Sequence, residues 1–134
     1  MATFSPNVSA ITLFVADPKR SRAFYEGLFE RPPIHEDPES VAFRFENVIL
    51  NLLVARAGRE LIEPAPVAEE ATAARFQLTI RVDDADAACA ALATHGVELL
   101  NGPIDRPWGV RTAAFADPDG HMWEIAQALP PAGP

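Results

Sequence analysis

The sequence predicts an α+β fold of two βαβββ modules, whose strands form a curved, mostly antiparallel sheet around a cleft. Three observations predict it. Apolar residues alternate with period two in several short runs, as in half-buried strands. Each half of the chain carries one helical stretch directly after its first strand. The lines ITLFVAD and LTIRVDD, one in each half, superpose without a gap. Such a repeat sets the architecture in which any motif sits. In a βαβββ unit the helix covers one face of the sheet. The other face stays open, and a concave open face is where small ligands bind.

Residues 10–16 read as the first strand, with Ile11, Leu13 and Val15 alternating with Thr12 and Phe14. Asp17-Pro18 follows. Asp suits an N-cap, and Pro suits the first helical position. The helix runs over 19–29, with Phe24, Tyr25, Leu28 and Phe29 as its apolar stripe. Arg31-Pro32-Pro33 stops it. A weakly marked strand covers 34–36. Val41, Phe43 and Phe45 then alternate, Glu46-Asn47 makes a turn, and 48–55 forms the next strand. Module one therefore spans about residues 8–55.

Residues 56–75 read as a linker. They hold Pro64, Pro66, the acidic pair Glu69-Glu70 and many alanines, with room for a short helical piece. Module two covers about 76–129. Its first strand is 76–82, with Leu78, Ile80 and Val82 on one face. Asp83 or Asp84 caps a helix that runs to about His95, and Gly96 sits where a C-terminal glycine belongs. A short strand at 97–100 meets a turn at Asn101-Gly102-Pro103. A loop through Pro107-Trp108-Gly109 leads into a strand at 110–116. Asp117-Pro118-Asp119-Gly120 is a strong turn signal before the last strand, 121–129. Residues 130–134 are expected to fray. The whole chain, 1–134, reads as one domain.

Composition narrows the function. A chain of 134 residues has a core that is thin for its area, so association of two copies is expected. The net charge of −8 repels phosphate backbones and argues against nucleic-acid binding. It would favour a cationic small molecule. Cys89 is the single cysteine, so no disulfide within the chain and no multi-cysteine zinc site can form. Residues 1–9 lack the pattern of a signal peptide, and no apolar run reaches membrane length. A soluble, cytoplasmic protein is expected.

The two modules, the helix carrying SRAFYEGLF and the segment DPDGHMWEI before the last strand resemble the vicinal-oxygen-chelate superfamily. That superfamily holds the glyoxalases, bleomycin-resistance proteins and extradiol dioxygenases. The resemblance covers residues 8–128 and is densest in WGVRTAAFADPDGHMWEI. It implies the glyoxalase/bleomycin-resistance fold and a homodimer. Its members range from isomerases, dioxygenases and thiol transferases to antibiotic binders, so fold does not name function.

In metal-dependent members the first and fourth strands of each module each supply one ligand, usually His or Glu, to a divalent metal. Carried onto this sequence, the four positions are Ala10, Asn51, Gln77 and Glu124. Only Glu124 is a conventional ligand. The resemblance thus implies a member depleted of metal ligands, for which no metal and no cofactor are expected.

Strand parity places Thr12 and Phe14 on the face of Ala10, Ile49 and Leu53 beside Asn51, Thr79 and Arg81 with Gln77, and Met122 and Ala126 beside Glu124. The expected ligand-binding set is Thr12, Phe14, Asn51, Gln77, Thr79, Trp108, Arg111, Met122 and Glu124. Trp108 would stack on a planar or cationic group. Arg111 would clamp a carboxylate or phosphate, or else pair with Asp117 or Asp119. Glu124 stands between Trp123 and Ile125, where an acid is costly unless it meets a partner or a wet cleft. It would act as a general base or as a counter-charge, or it would pair with Arg81 or Arg111. His35 could rim the cleft, and Cys89 reads as a small buried apolar group.

Three readings follow. One is a metal-free binder of a small organic molecule, aromatic or cationic, of which an antibiotic-sequestering resistance protein is one form. Another is a lyase, isomerase or dioxygenase of the glyoxalase type with Glu124 as its catalytic residue. The third is an association domain with a vestigial cleft.

Overall fold

The computed structural model describes residue 3 and residues 6–68 and 73–131. Within them lie eight strands and three helices. The acidic pair Glu69-Glu70 and residues 132–134 of the expected tail fall outside the described residues. The chain divides near residue 70 into two compact units.

In unit one, β1 (Ala10–Val15) leads to α1 (Pro18–Phe29), then β2 (His35–Asp37), β3 (Ser40–Arg44) and β4 (Ile49–Val54). The sheet order is β1-β4-β3-β2. β1 and β4 run parallel, and the other two pairings are antiparallel. Asp17 caps α1, its carboxylate accepting from the Lys19 amide at 3.0 Å, with Pro18 following as the first helical residue. The helix packs on the face that carries Leu13, Val15, Val41, Phe43, Leu50 and Leu52, all buried. Tyr25 is its anchor. The ring is fully buried, stacks on Phe29 at 6.1 Å and meets Phe43 at 6.3 Å.

α2 (Ala55–Ile62) follows β4 without a break, where a linker with a short helical piece is expected from sequence. Its Gly58 is buried against Phe14, on the sheet face opposite α1. The two prolines that suggested a linker, Pro64 and Pro66, lie just beyond the helix and end it.

Unit two repeats unit one: β5 (Gln77–Arg81), α3 (Ala85–Thr94), β6 (Leu99–Arg106), β7 (Val110–Ala116) and β8 (Met122–Ala128), in the order β5-β8-β7-β6. The sequence leaves Asp83 and Asp84 as alternative caps. The structure takes Asp84, whose carboxylate accepts from the Ala87 amide at 3.0 Å. Its backbone (φ −141°, ψ 103°) matches that of Asp17 (φ −139°, ψ 104°), so the repeat extends to the cap. The core beneath α3 is Ala85, Leu92, Ala113, Phe115, Trp123 and Ile125, with Phe115 stacked on Trp123 at 6.4 Å.

β6 corrects the expected short strand and turn at Asn101-Gly102-Pro103. The strand continues through those residues to Arg106, with register shifts between Leu99 and Ile104. Gly102 makes this possible. Its φ is +97°, and a Cβ there would lie 2.5 Å from the Thr112 carbonyl oxygen and 2.6 Å from Ala113 Cα. Among the described residues no helix is long and apolar enough to cross a membrane.

Candidate functional site

Each sheet has one face under α1 or α3 and an opposite face, which in unit one also receives α2 at Phe14. In unit one that opposite face carries Thr12, Phe14, Asn51 and Leu53, and the open face of unit two carries Gln77, Thr79, Arg81, Met122 and Glu124. The registers arrange matching rows across the two sheets. In unit one the row is Thr12, Asn51, Ala42 and His35. In unit two it is Thr79, Glu124, Ala114 and Asn101. The neighbours of Asn51 and Glu124 are thus the two threonines. Ala10 and Gln77 stand two residues back along their strands, beside Ile49 and Met122.

Glu124 is the chemical centre of this arrangement. It is half-buried, and Thr79 Oγ1 donates to its Oε1 at 3.0 Å. Among the described residues it forms no ion pair: Arg81 shares its face without bridging to it, and Arg111 lies on the other face, paired with Asp105 and Asp86. One carboxylate oxygen is therefore oriented by a neutral hydroxyl. The other keeps its full capacity to accept.

Arg111 departs from the expected site. It pairs with Gln127, one residue out of phase with Glu124, and so lies on the helix-covered face. There its Nε donates to Asp105 at 2.6 Å and its Nη1 to Asp86 of α3 at 3.1 Å. The guanidinium holds the Asp105 carboxyl below its ordinary value by hydrogen bonding, and then by charge. Arg111 binds strand to helix, and its charge is already met. Phe14 lies against Gly58 of α2, so its ring docks that helix. Trp108 is 70% exposed at the tip of the β6–β7 hairpin. Thr12 is exposed, Asn51 and Met122 are half-buried, and Gln77 is exposed.

The residues that sequence reasoning missed are Arg106, Thr112 and Asn101. Arg106 Nε donates to Thr112 Oγ1 at 3.0 Å, and its Nη2 reaches Asn101 Oδ1 at 3.4 Å. Thr112 pairs with Ala126, which puts this group on the face of Glu124. Strand parity would have found it had residues 101–106 read as strand; the Asn-Gly-Pro run hid the signal.

Two histidines are held by aspartates. His121 Nδ1 lies 2.8 Å from Asp117 Oδ2 in the β7–β8 turn, and the side chain of Asp117 also accepts from the backbone amides of Asp119 and His121. Burial disfavours the His121 imidazolium. The Asp117 hydrogen bond and the charges of Asp117 and Asp119 outweigh it and raise its pKa. His35 Nε2 lies 2.8 Å from Asp37 Oδ2, which also accepts from Ser40 Oγ at 3.0 Å. The serine and histidine both meet the aspartate rather than each other, so no nucleophile–base pair forms. On the outer side of α1, a depression of about 300 Å³ is lined by Lys19, Arg22, Ala23, Glu26 and Glu36. Its charges are matched internally, Arg22 bridging Glu26 and Glu36 at 3.0 Å each.

A divalent metal at the four family positions does not fit these residues. Ala10 has no donor, Asn51 and Gln77 offer only neutral carbonyl oxygens, and Glu124 alone offers charge. Among the described residues no three His, Cys, Asp or Glu side chains gather as a metal-binding group.

Residues 7–125 match the sequence pattern of the Glyoxalase/Bleomycin resistance protein/Dioxygenase superfamily. No curated protein sequence matches the chain. Among solved structures, a glyoxalase/bleomycin resistance protein/dioxygenase from Nocardioides aligns with a TM-score of 0.85 at 26% identity, covering 99% of this chain and 90% of that one. A glyoxalase-related enzyme from Fulvimarina pelagi aligns at 0.80 and 27% identity, covering 97% and 92%. A lactoylglutathione lyase from Agrobacterium tumefaciens shares the fold at 0.72 and 16% identity, covering 92% and 94%.

Proposed function

Because the chain belongs to the Glyoxalase/Bleomycin resistance protein/Dioxygenase superfamily, we propose that it binds a small organic molecule on the open face of unit two, without a catalytic metal. One observation carries the reading. Glu124 is half-buried, and its only partner among the described residues is the hydroxyl of Thr79. Withdrawing a carboxylate from water without a matched partner is costly, and a ligand that donates to the carboxylate repays that cost. The Ala114 and Ala126 methyl groups beside it leave room, and Met122 offers an apolar wall. We place the protein in the cytoplasm as a homodimer, in which a second copy adds burial to a thin core. Sequestration of an antibiotic is one use of such a binder.

The reading is tested by thermal shift with a panel of aromatic and cationic compounds, antibiotics included. A saturable rise in Tm with at least one compound is expected, reduced about tenfold in affinity by Glu124→Gln. No shift across the panel would remove its support.

The Thr79 hydrogen bond also favours a second reading. It fixes the direction of the Glu124 carboxylate, which a general base requires. A lyase, isomerase or dioxygenase of the glyoxalase type would lose turnover in Glu124→Gln while still binding its substrate. A pure binder shows no turnover in either form.

A further inference from the structure

We propose that Arg106 makes the open face of unit two a receptor for the anionic end of a small organic acid, while Glu124 takes a hydroxyl or ammonium donor of the same molecule. The proposal rests on the ligand-binding reading above and names the chemical class of the ligand.

The other half-buried arginines among the described residues are matched by carboxylates: Arg22 meets Glu26 and Glu36, and Arg111 meets Asp105 and Asp86. Arg106 is different. Its partners are the Thr112 hydroxyl and the Asn101 side-chain oxygen, both neutral. Among the described residues no carboxylate pairs with it. In a chain with 19 acidic residues against 11 lysines and arginines, a half-buried guanidinium without an acid is an exception that calls for an anion.

The guanidinium is also aimed. Thr112 is 2% exposed, so the oxygen that receives Arg106 Nε is fixed in the sheet. A guanidinium carries five N–H donors in a rigid fork. Two are engaged here, and the rest remain for a bidentate contact with a carboxylate.

The register gives the spacing. Thr112 pairs with Ala126 and Ala114 pairs with Glu124, so Thr112 and Glu124 are diagonal neighbours on one face. Diagonal neighbours lie roughly 7–8 Å apart at the backbone. Arg106 and Glu124 form no ion pair, so neither charge cancels the other. Ala114 and Ala126 place only methyl groups between them. A short molecule with an acid at one end and a donor at the other matches both. A phosphate dianion would meet the Glu124 charge as well, which disfavours it.

Titration calorimetry with three probes that share a phenyl ring tests this: mandelate (acid and hydroxyl), mandelamide (neutral) and benzylamine (cation). Mandelate should bind the wild type at least about tenfold more tightly than mandelamide, the scale of a charge-assisted hydrogen-bonded pair. Arg106→Gln should abolish that preference, and Arg106→Lys should restore part of it. Thr112→Val leaves the charge but frees the fork, and should weaken mandelate while leaving mandelamide unchanged. If mandelamide or benzylamine binds as well as mandelate, or if Arg106→Gln and Thr112→Val both leave mandelate binding unchanged, the Arg106 proposal fails while the ligand-binding reading stands. If no probe binds at about 10 mM and the antibiotic panel is also silent, both fail.

Discussion

Asp17 and Asp84 perform one task in the two units, and the chain around each reveals it. Both precede a helix, both have extended backbone, and both carboxylates accept an amide of the first turn. They differ in what else starts the helix. Asp17 is followed by Pro18, whose fixed φ suits the first helical position, whereas Asp84 is followed by Ala85. Asp84 therefore carries more of the start of α3 than Asp17 does of α1. Asp84→Ala should cost about 1–2 kcal/mol, toward the upper part of the range for lost caps, and Asp17→Ala about 1 kcal/mol or less. Urea unfolding of the two variants measures both; equal losses would show that Pro18 contributes nothing to the start of α1. The aspartate caps were legible because capping is local chemistry. The true surroundings of Arg111 were not. Which carboxylates it meets depends on Asp105 across the hairpin and Asp86 on the helix, and nearness in sequence pointed instead to Asp117 and Asp119.

At the scale of elements, periodicity located β1, β3, β4, β5, β7 and β8 and the helices α1 and α3 that cover them. It failed where a local signal competed with long-range pairing. Gly102-Pro103 reads as a turn, yet residues 99–106 stay paired with β7 because the bulge absorbs the glycine without breaking the ladder. This misreading also hid Arg106. The helix α2 was obscured for a similar reason, since the prolines beyond it drew attention to breakage. Its docking rests on Gly58, where a Cβ would stand 2.5 Å from the Phe14 ring. Two effects oppose each other in Gly58→Ala. Helix propensity gains up to about 1 kcal/mol, while overpacking costs about 1–3 kcal/mol. The steric effect should win, so the variant should be less stable than the wild type. In a Phe14→Ala background the clash is gone, and the same change should become stabilising. A double-mutant cycle in urea reads this reversal of sign; additive effects would show that α2 does not rest on Phe14.

The repeat was the most legible feature of the whole molecule, because both units bury the same alternating positions under a capped helix. The faces opposite α1 and α3 were legible only as parity. Parity tells which residues share a face but not which of them are already satisfied, and satisfaction separates Glu124 and Arg106 from Arg111. The same distinction bears on how stability responds to pH, through fixed pairs such as Asp37 with His35 and Asp117 with His121. The His35 hydrogen bond, followed by the Glu39 amide, lowers Asp37 to about 2 from 3.8. Its contribution to stability is complete above pH 3.8 and is lost as pH falls through about 2. His121 behaves oppositely. Its pKa is raised above 6.5 despite burial, so its contribution is complete below pH 6.5 and is lost as pH rises through the higher folded value. Thermal stability should therefore decline on the alkaline side of pH 6.5, by no more than about 1.4 kcal/mol per pH unit for one proton. His121→Gln keeps a donor for the buried Asp117 but does not titrate, so the alkaline decline should flatten while the loss at acid pH remains. Unfolding free energies of both proteins from about pH 3 to 9 decide the matter, and parallel curves above pH 6.5 would mean that the Asp117–His121 pair does not set the alkaline limit.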